Sequence, residues 1–488
     1  MKLSIVLEGL PLISGPAGVD PEISGISYAS SSVETGHLFA ALKGERRDGI
    51  DFVPEAAARG AAAILSDRPR PEGLGLPWVR VFEAREALAL AAANFYGHPS
   101  DKLKVVGITG TKGKTTTSLI LESILRAAGW PAGVIGTIQY RGGTLAQEAV
   151  RTTPEAPDLQ RMLRSMVEDG LTHCVMEVSS HSLILHRVTG IGFDVAVFTN
   201  LGGEHLDYHK SMEEYFEAKK KLFRLNAKKR TAVVNEDDPW GKRLITELPM
   251  ATITFGLEPT AIVRGEKTKT NGTGIEALVR YPGGQMAIAS PLAGKHNLYN
   301  LLAAFAVALA LNVPLPAIRE GIASLSQVPG RFEKIENNRG LQIFVDYAHT
   351  EESLRGLLET ARELKPARIL LVFGCGGDRD RAKRERMGEV AGRLADWTFV
   401  TSDNPRSEDP LDIMLEVERG LVLSGSKSYT MIADRREAIA RALGMARKGD
   451  CVLVAGKGHE TTQVLKDRTI EFKDADVIRE ILGNREPA

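Results

Sequence analysis

The chain has 488 residues, 43% apolar and 25% charged, which is too long for one hydrophobic core and sufficient for about three domains of roughly 100–200 residues each. Lysine plus arginine equals aspartate plus glutamate, 62 against 62, which excludes a net field drawing the chain to nucleic acid or to a membrane surface. Cys174, Cys375 and Cys451 have neither metal-binding spacing nor an even number for disulfides, and no run of about eighteen apolar residues occurs, so a reduced, soluble, cytoplasmic protein is expected.

Residues 1–100 alternate short strand-like runs, "HLFAAL", "AAAILS" and "WVRVF", with Ala-rich helical stretches, which predicts a small α/β domain. A second segment, 101–328, opens with "KLKVVGITGTKGKTTTSLILESILRAAG", a strand, a glycine-containing turn and an amphipathic helix. Backbone N–H groups of such a loop point at phosphate oxygens, its lysine neutralises phosphate charge, and the hydroxyl that follows suits Mg²⁺. Gly110, Thr111, Lys112, Gly113, Lys114, Thr115 and Thr116 are therefore the predicted triphosphate cradle, although Ile108 fills the first glycine position of the strict pattern.

Further strands are predicted at "THCVMEVSS", "VAVFTNL" and "RTAVVN", and a parallel sheet is the economical arrangement. Glu177 closes one of these strands, at the ligand edge of open α/β sheets, and Asn200, His205, Asp207 and His209 follow another. Glu177 with the histidines beside a phosphate loop points to a Mg²⁺ and substrate site. Lys219, in "YFEAKKKLF", is on its own one charge of a basic helical face. Residues 251–292 read as a small antiparallel addition.

From "PGRFE" onward, 329–488, strands "LQIFVDYAH", "ARILLVFGCGG", "DWTFVTSD" and "DCVLVAGKG" each end in a polar or glycine-rich loop, which predicts a Rossmann-like domain. Its stretch "TSDNPRSEDP" is, on composition, turn chemistry in which Asn and Asp bond their own backbone and Pro fixes φ. The fold class expected is α/β, with a small N-terminal domain, a central P-loop ATPase-like parallel-sheet domain and a C-terminal Rossmann-like domain.

The runs "GITGTKGKTTT", "TTPEAPDL", "MEVSSHSL", "FTNLGGEHLDYH", "EAKKKLF", "KHNLYNLLAA", "PGRFE", "VDYAHT" and "DNPRSEDP" occur in an order and spacing that resembles the Mur ligases. Within that family the chain is similar to the branch that adds the third amino acid to the UDP-N-acetylmuramoyl dipeptide of peptidoglycan. The resemblance implies an ATP- and Mg²⁺-dependent amide-forming ligase working through an acyl phosphate. Lys114, Glu177, His205 and Lys219 would be its catalytic residues. Thr115, Glu177, His205 and Lys219, the last carbamylated to N6-carboxylysine, would be metal ligands. Asn297, Arg331 and Asp346 match positions around the nucleotide. Ser30, Thr152, Thr153, Ser179 and Arg187 match positions for the UDP-sugar dipeptide.

The sequence departs from that branch at Ala29, Ser31, Leu185, Glu204 and Glu351, and Leu185 bears on one sugar-peptide contact. For the amino acid, the resemblance implies Arg379, Asp403, Asn404, Pro405, Arg406, Gly456 and Glu460. The form "DNPR" goes with meso-diaminopimelate, whose second carboxylate suits a bidentate arginine. The lysine-adding ligase of the same family and a folylpolyglutamate synthase-like ligase are the alternatives, and a non-ligating nucleotide-binding module is a third. Small-molecule partners and a monomer are expected, with no nucleic acid or membrane partner.

Overall fold

A computed structural model describes residues 1–16, 18–44, 47–204, 208–225, 231–271 and 274–483. His205 and Asp207 lie outside the described residues. The chain forms two compact units, 1–264 with 302–318 and 265–301 with 319–488.

The first unit contains two sheets. The N-terminal one comprises β1 (Leu12–Ser14), β2 (Gly25–Ser27), β3 (His37–Ala40), β4 (Ala63–Ser66) and β5 (Trp78–Val81), in the order β1-β5-β4-β3-β2. All its pairs are parallel except β1 with β5. The helix Ala84–Tyr96 has alanine or leucine at most positions, so its backbone lies close to the sheet, with Ala87, Leu88 and Ala91 in one core with Leu38, Leu65 and Val79. Gly97, at φ 72°, ends it in the left-handed conformation usual after a helix.

The second sheet comprises β6 (Lys104–Thr109), β7 (Ala132–Ile135), β8 (Gln139–Gly142), β9 (Leu145–Glu148), β10 (His173–Glu177), β11 (Val195–Phe198), β12 (Thr231–Asn235) and β13 (Ala251–Gly256). Their order is β13-β12-β11-β6-β10-β7-β8-β9, and the run from β13 to β7 is parallel. Ala251–Gly256 was expected in an antiparallel addition but extends the parallel sheet, because its Phe255 buries beside β12. Val105, Met176, Phe193, Phe198, Leu163 and Met166 share the core. Burial of each such large apolar side chain contributes about 1.5–3 kcal/mol.

The strand β14 (Val263–Asn271) begins in the first unit by pairing Val263 and Arg264 with β13. The second unit contains the antiparallel hairpin β15 (Gly274–Tyr281) and β16 (Gly284–Ser290), the addition the sequence predicted. Its main sheet is β17 (Glu333–Lys334), β18 (Gln342–Asp346), β19 (Ile369–Phe373), β20 (Trp397–Val400), β21 (Tyr429–Met431) and β22 (Cys451–Ala455). The order β17-β18-β22-β19-β20-β21 is parallel apart from β17. "ILLVF" and "CVLVA" are fully buried, the continuous apolar pattern of a parallel sheet covered on both faces. A short hairpin, β23 (Thr462–Val464) and β24 (Thr469–Glu471), lies beyond β22.

Candidate active site

In the first unit β6 lies between β10 and β11, in a register that sets Glu177 level with Ile108 and Phe198 level with Thr109. Three carboxyl ends therefore open on the loop 110–113, and the helix Lys114–Ala127 starts there with its N–H groups toward the same edge. Gly110 has φ 149°, and a Cβ on it would meet Thr199 Oγ1 at 1.8 Å. The loop is tied to the segment that follows β11. Lys112 N donates to Asn200 Oδ1 at 2.9 Å and Thr199 Oγ1 to the Lys112 carbonyl at 2.7 Å.

Lys114 Nζ folds over the loop, donating to the carbonyls of Gly110 at 3.0 Å and Thr111 at 2.9 Å. Lys219 comes from the helix Met212–Lys220, which Ser211 caps by accepting from Glu214 N. It is buried, donates to the same Gly110 carbonyl at 2.8 Å and lies over the Tyr215 ring at 4.4 Å. Burial first, then the charge of Lys114, drives its pKa well below the usual lysine value. Such an amine is readily present in its neutral, nucleophilic form.

Glu177 is 1% exposed, yet its carboxylate is fully hydrogen-bonded. Oε2 accepts from Thr115 Oγ1 at 3.0 Å and Thr137 Oγ1 at 2.9 Å, and Oε1 accepts from Thr137 N at 2.8 Å. Among the described residues no group of three or more His, Cys, Asp or Glu could hold a metal. The adjacent hard oxygens of Thr115 and Glu177 fit Mg²⁺, which commonly keeps few protein ligands and completes its shell with phosphate and water.

The contacts continue into the expected sugar-peptide residues. Thr152 Oγ1 is 3.1 Å from Thr137 Oγ1. Thr153 Oγ1 donates to the Glu177 carbonyl at 2.9 Å and accepts from Ser179 N at 3.1 Å, while Ser179 caps the next helix through Ser182 N. Arg187 Nη1 donates to the Thr153 carbonyl at 3.1 Å, and its Nε lies 3.0 Å from Glu155 Oε1. Ser30 stands apart, its hydroxyl donating to Glu55 Oε2 at 2.8 Å. Thr137 and Glu155 were not expected. The sequence held no cue to Thr137, and Glu155, inside "RTTPE", was passed over because its partners Arg85, Arg151 and Arg187 gather only in the fold.

In the second unit Asp346 ends β18 and accepts from Phe332 N at 2.7 Å and Ala348 N at 2.8 Å. Arg331 lies over the Tyr347 ring at 4.7 Å, so these two expected nucleotide residues are neighbours. Asn297 is buried in the helix Lys295–Ala310, bonded to the Ala293 carbonyl at 2.7 Å and to Asn300 at 3.0 Å.

The expected amino-acid residues converge from the ends of β19, β20 and β22. The turn chemistry expected of "TSDNPRSEDP" is not what Asn404 does: its side chain bonds distant partners rather than its own backbone. Oδ1 accepts from Lys457 Nζ at 3.2 Å and Val464 N at 2.9 Å, and Nδ2 donates to Glu460 Oε2 at 2.8 Å. Asp403 is buried beside Gly456, where a Cβ would meet Asp403 Oδ2 at 2.5 Å. Burial raises the Asp403 pKa against the pull of Arg435 and Lys457. Burial also pushes Glu460 upward, but Lys457 and the Asn404 hydrogen bond outweigh it and hold the carboxyl below its usual range.

Arg406 has φ 53°, a left-handed backbone costing a non-glycine residue about 1–3 kcal/mol. That turn sends its Nη1 to the Gly377 carbonyl at 2.7 Å. A methyl on Gly376 would meet Arg406 Nη1 at 2.9 Å and Arg379 Cγ at 3.8 Å, so the two arginines flank one glycine. Burial, then the charge of Arg379, depresses the Arg406 pKa. Neither guanidinium has an ion pair among the described residues. Arg384, fully buried, clamps the loops by donating to Glu408 at 2.8 and 2.9 Å, Glu416 at 2.9 Å and the Gly376 carbonyl at 3.2 Å. Arg384 and Lys457 were missed in the sequence, where each is one more cation.

These two clusters, a glycine-rich loop at a helix N-terminus beside a buried carboxylate and a set of charged side chains at strand ends of the second unit, have the make-up of a phosphate-handling enzyme of α/β construction. Comparison with known proteins gives the Mur ligase family catalytic domain at residues 22–96, the Mur ligase middle domain at 108–308 and the Mur ligase glutamate ligase domain at 330–458. The chain belongs to the Mur ligase family. It is 44% identical over 486 residues to a UDP-N-acetylmuramoyl-L-alanyl-D-glutamate–2,6-diaminopimelate ligase of Solibacter usitatus, covering 99% of this chain and 98% of that protein. A ligase of the same name from Caldanaerobacter subterraneus subsp. tengcongensis is 42% identical with both chains fully covered. A solved structure of a ligase of that name superposes with a TM-score of 0.70 at 31% identity, covering 99% of each chain. Among the described residues no helix is long and apolar enough to cross a membrane.

Proposed function

We propose that the chain is the ATP-dependent ligase that adds meso-2,6-diaminopimelate to UDP-N-acetylmuramoyl-L-alanyl-D-glutamate in peptidoglycan precursor synthesis. The observation that carries the amino-acid choice is the pair Arg379 and Arg406, two arginines that flank Gly376 with neither in an ion pair among the described residues. A second substrate carboxylate can pair with such cations through bidentate hydrogen bonds. Lysine, with only an ammonium at its far end, would leave both unpaired. Glu460 supplies the negative charge for the distal ammonium, and Asn404 a donor beside it.

The domains are taken as 1–100 for the UDP-sugar, 101–328 for ATP and ligation, and 329–488 for the amino acid. Ser30, Thr152, Thr153, Ser179 and Arg187 hold the UDP-sugar dipeptide, whose anionic and hydroxyl groups suit such donors. The loop 110–116 holds the phosphates of ATP, and Asn297, Arg331 and Asp346 are the further nucleotide residues that the family resemblance implies. Thr115 and Glu177 would hold one Mg²⁺, and His205 with Lys219 a second. When bound, Mg²⁺ supplies charge neutralisation between phosphate and carboxylate oxygens.

Ligation begins when a dipeptide carboxylate oxygen attacks the γ-phosphorus of ATP and the bond to ADP breaks, giving an acyl phosphate. Lys114 screens the approach of the two anions. The amine of the amino acid then attacks the acyl carbon, the C–O bond to phosphate breaks, and an amide, phosphate and a proton result. Lys219 contributes after its neutral amine adds CO₂ with loss of one proton. The side chain, which repels Lys114 when protonated, then carries a negative charge that attracts it, and the new oxygens suit a hard cation.

The test is incubation of the purified chain with ATP, Mg²⁺, the UDP-sugar dipeptide and meso-diaminopimelate, followed by mass analysis of the product. A UDP-sugar tripeptide formed together with ADP supports the reading. ATP turnover without a new amide, or no turnover, contradicts it.

A further inference from the structure

The ligase reading leaves Lys457 without a role. Its side chain is 0% exposed, and Nζ donates to Asn404 Oδ1 at 3.2 Å, Glu460 Oε2 at 2.9 Å and the Thr462 carbonyl at 2.7 Å. An ammonium has three N–H donors, so all of them are engaged and none remains for a substrate. What Lys457 determines is the state of its partners. Because Asn404 Oδ1 accepts from both Lys457 and Val464 N, the amide cannot turn over, and Nδ2 is directed at Glu460. One Nδ2 hydrogen is then left for a ligand, as is Glu460 Oε1, which has no hydrogen bond among the described residues.

We propose that Lys457 is a positioning residue for amino-acid selection, holding Asn404 and Glu460 as a preformed pair that reads the charged far end of the incoming amino acid. This rests on the ligase reading above. Glu460 also feels Arg406, whose charge it favours. Without Lys457 the Glu460 carboxylate would be freer to turn toward Arg406, and a contact between them would cancel both the acid meant for an ammonium and the cation meant for a carboxylate. Lys457 keeps the two charges separate until substrate arrives.

The test uses the full-length wild type and Lys457→Met, Glu460→Gln and the double variant, with ADP release followed against each substrate. The KM for meso-diaminopimelate should rise about tenfold or more in Lys457→Met, as when one partner of a buried charge pair is lost. The KM values for ATP and the UDP-sugar dipeptide should stay within about twofold. The double variant should be no worse than Glu460→Gln, since Lys457 acts through that carboxylate. An unchanged amino-acid KM, a parallel rise in all three KM values, or additive losses in the double variant would overturn the proposal. If Lys457→Met does not fold, Lys457→Gln decides by the same criterion: a selective amino-acid effect supports it and a uniform effect overturns it. A wild type that does not join meso-diaminopimelate at all refutes the ligase reading, and is distinguishable because it appears before any substitution.

Discussion

Lys114 and Lys219 donate to one backbone oxygen, the carbonyl of Gly110, at 3.0 and 2.8 Å. Burial, and after it the repulsion between two cations that share an acceptor, lowers the Lys219 pKa. Lys219→Ala is expected to lower ADP release by about a hundredfold, the scale of one lost electrostatic group in a catalytic site. Short-chain carboxylates should restore part of it by replacing the carbamate oxygens. Unaltered activity in that variant would remove the carbamate from the mechanism.

Glu177 depends on charge as well as shape. Its carboxylate accepts from Thr115, Thr137 Oγ1 and Thr137 N, so an amide in its place must offer an NH₂ where a hydroxyl or amide donor now points. Glu177→Gln should lose about a hundredfold or more in kcat. Its Mg²⁺ titration should shift to higher concentration while circular dichroism stays that of the wild type. An unshifted titration would remove Glu177 from the metal site.

Arg406→Ala should reduce kcat/KM for meso-diaminopimelate by about tenfold to a hundredfold, the equivalent of about 1.5–3 kcal/mol for a lost charged hydrogen bond. The residual rate with lysine should change much less. Steady-state assays with both amino acids measure the difference. Equal losses for the two would mean that Arg406 supports the loop rather than reading the substrate.

Glu408 links the amino-acid loops to stability. Hydrogen bonds from Arg384, followed by the backbone N–H of Asp378, hold its pKa at about 2, below the ordinary 4.5. A carboxyl depressed in the folded state contributes stability above its unfolded value, and that contribution is lost as pH falls from about 4.5 toward 2. Urea unfolding of the wild type should weaken across that window. Glu408→Gln should be less stable at pH 6, and the gap between the two proteins should narrow as the pH is lowered. A gap independent of pH would contradict the assignment.

The parts legible in the sequence were those in which one local stretch holds both the pattern and its partner. "GITGTKGKTT" joins a strand to a helix and carries its own glycines and lysine, and Glu177 ends a recognisable strand. Asn404 and Arg406 were found through "DNPR", with their loop read as a turn that presents both to a substrate carboxylate, but the side chains that hold Asn404 are remote and left no local trace. Lys457 bonds Asn404 across 53 positions and Arg384 bonds Glu408 across 24. A buried lysine and an exposed one have the same letter, and only the packing around them distinguishes a hub from a solvated charge. The parallel placement of Ala251–Gly256 was likewise decided by burial of Phe255, a tertiary contact that overrode the local strand-and-turn pattern.

The most direct test of the account is the ratio of kcat/KM for meso-diaminopimelate to that for L-lysine, with ADP release followed at saturating ATP and UDP-sugar dipeptide. Arg379 and Arg406 predict a preference for meso-diaminopimelate of about a hundredfold or more, since lysine has no distal carboxylate for them to pair with. Equal rates, or a preference for lysine, would contradict the assignment of these arginines and of the substrate they select.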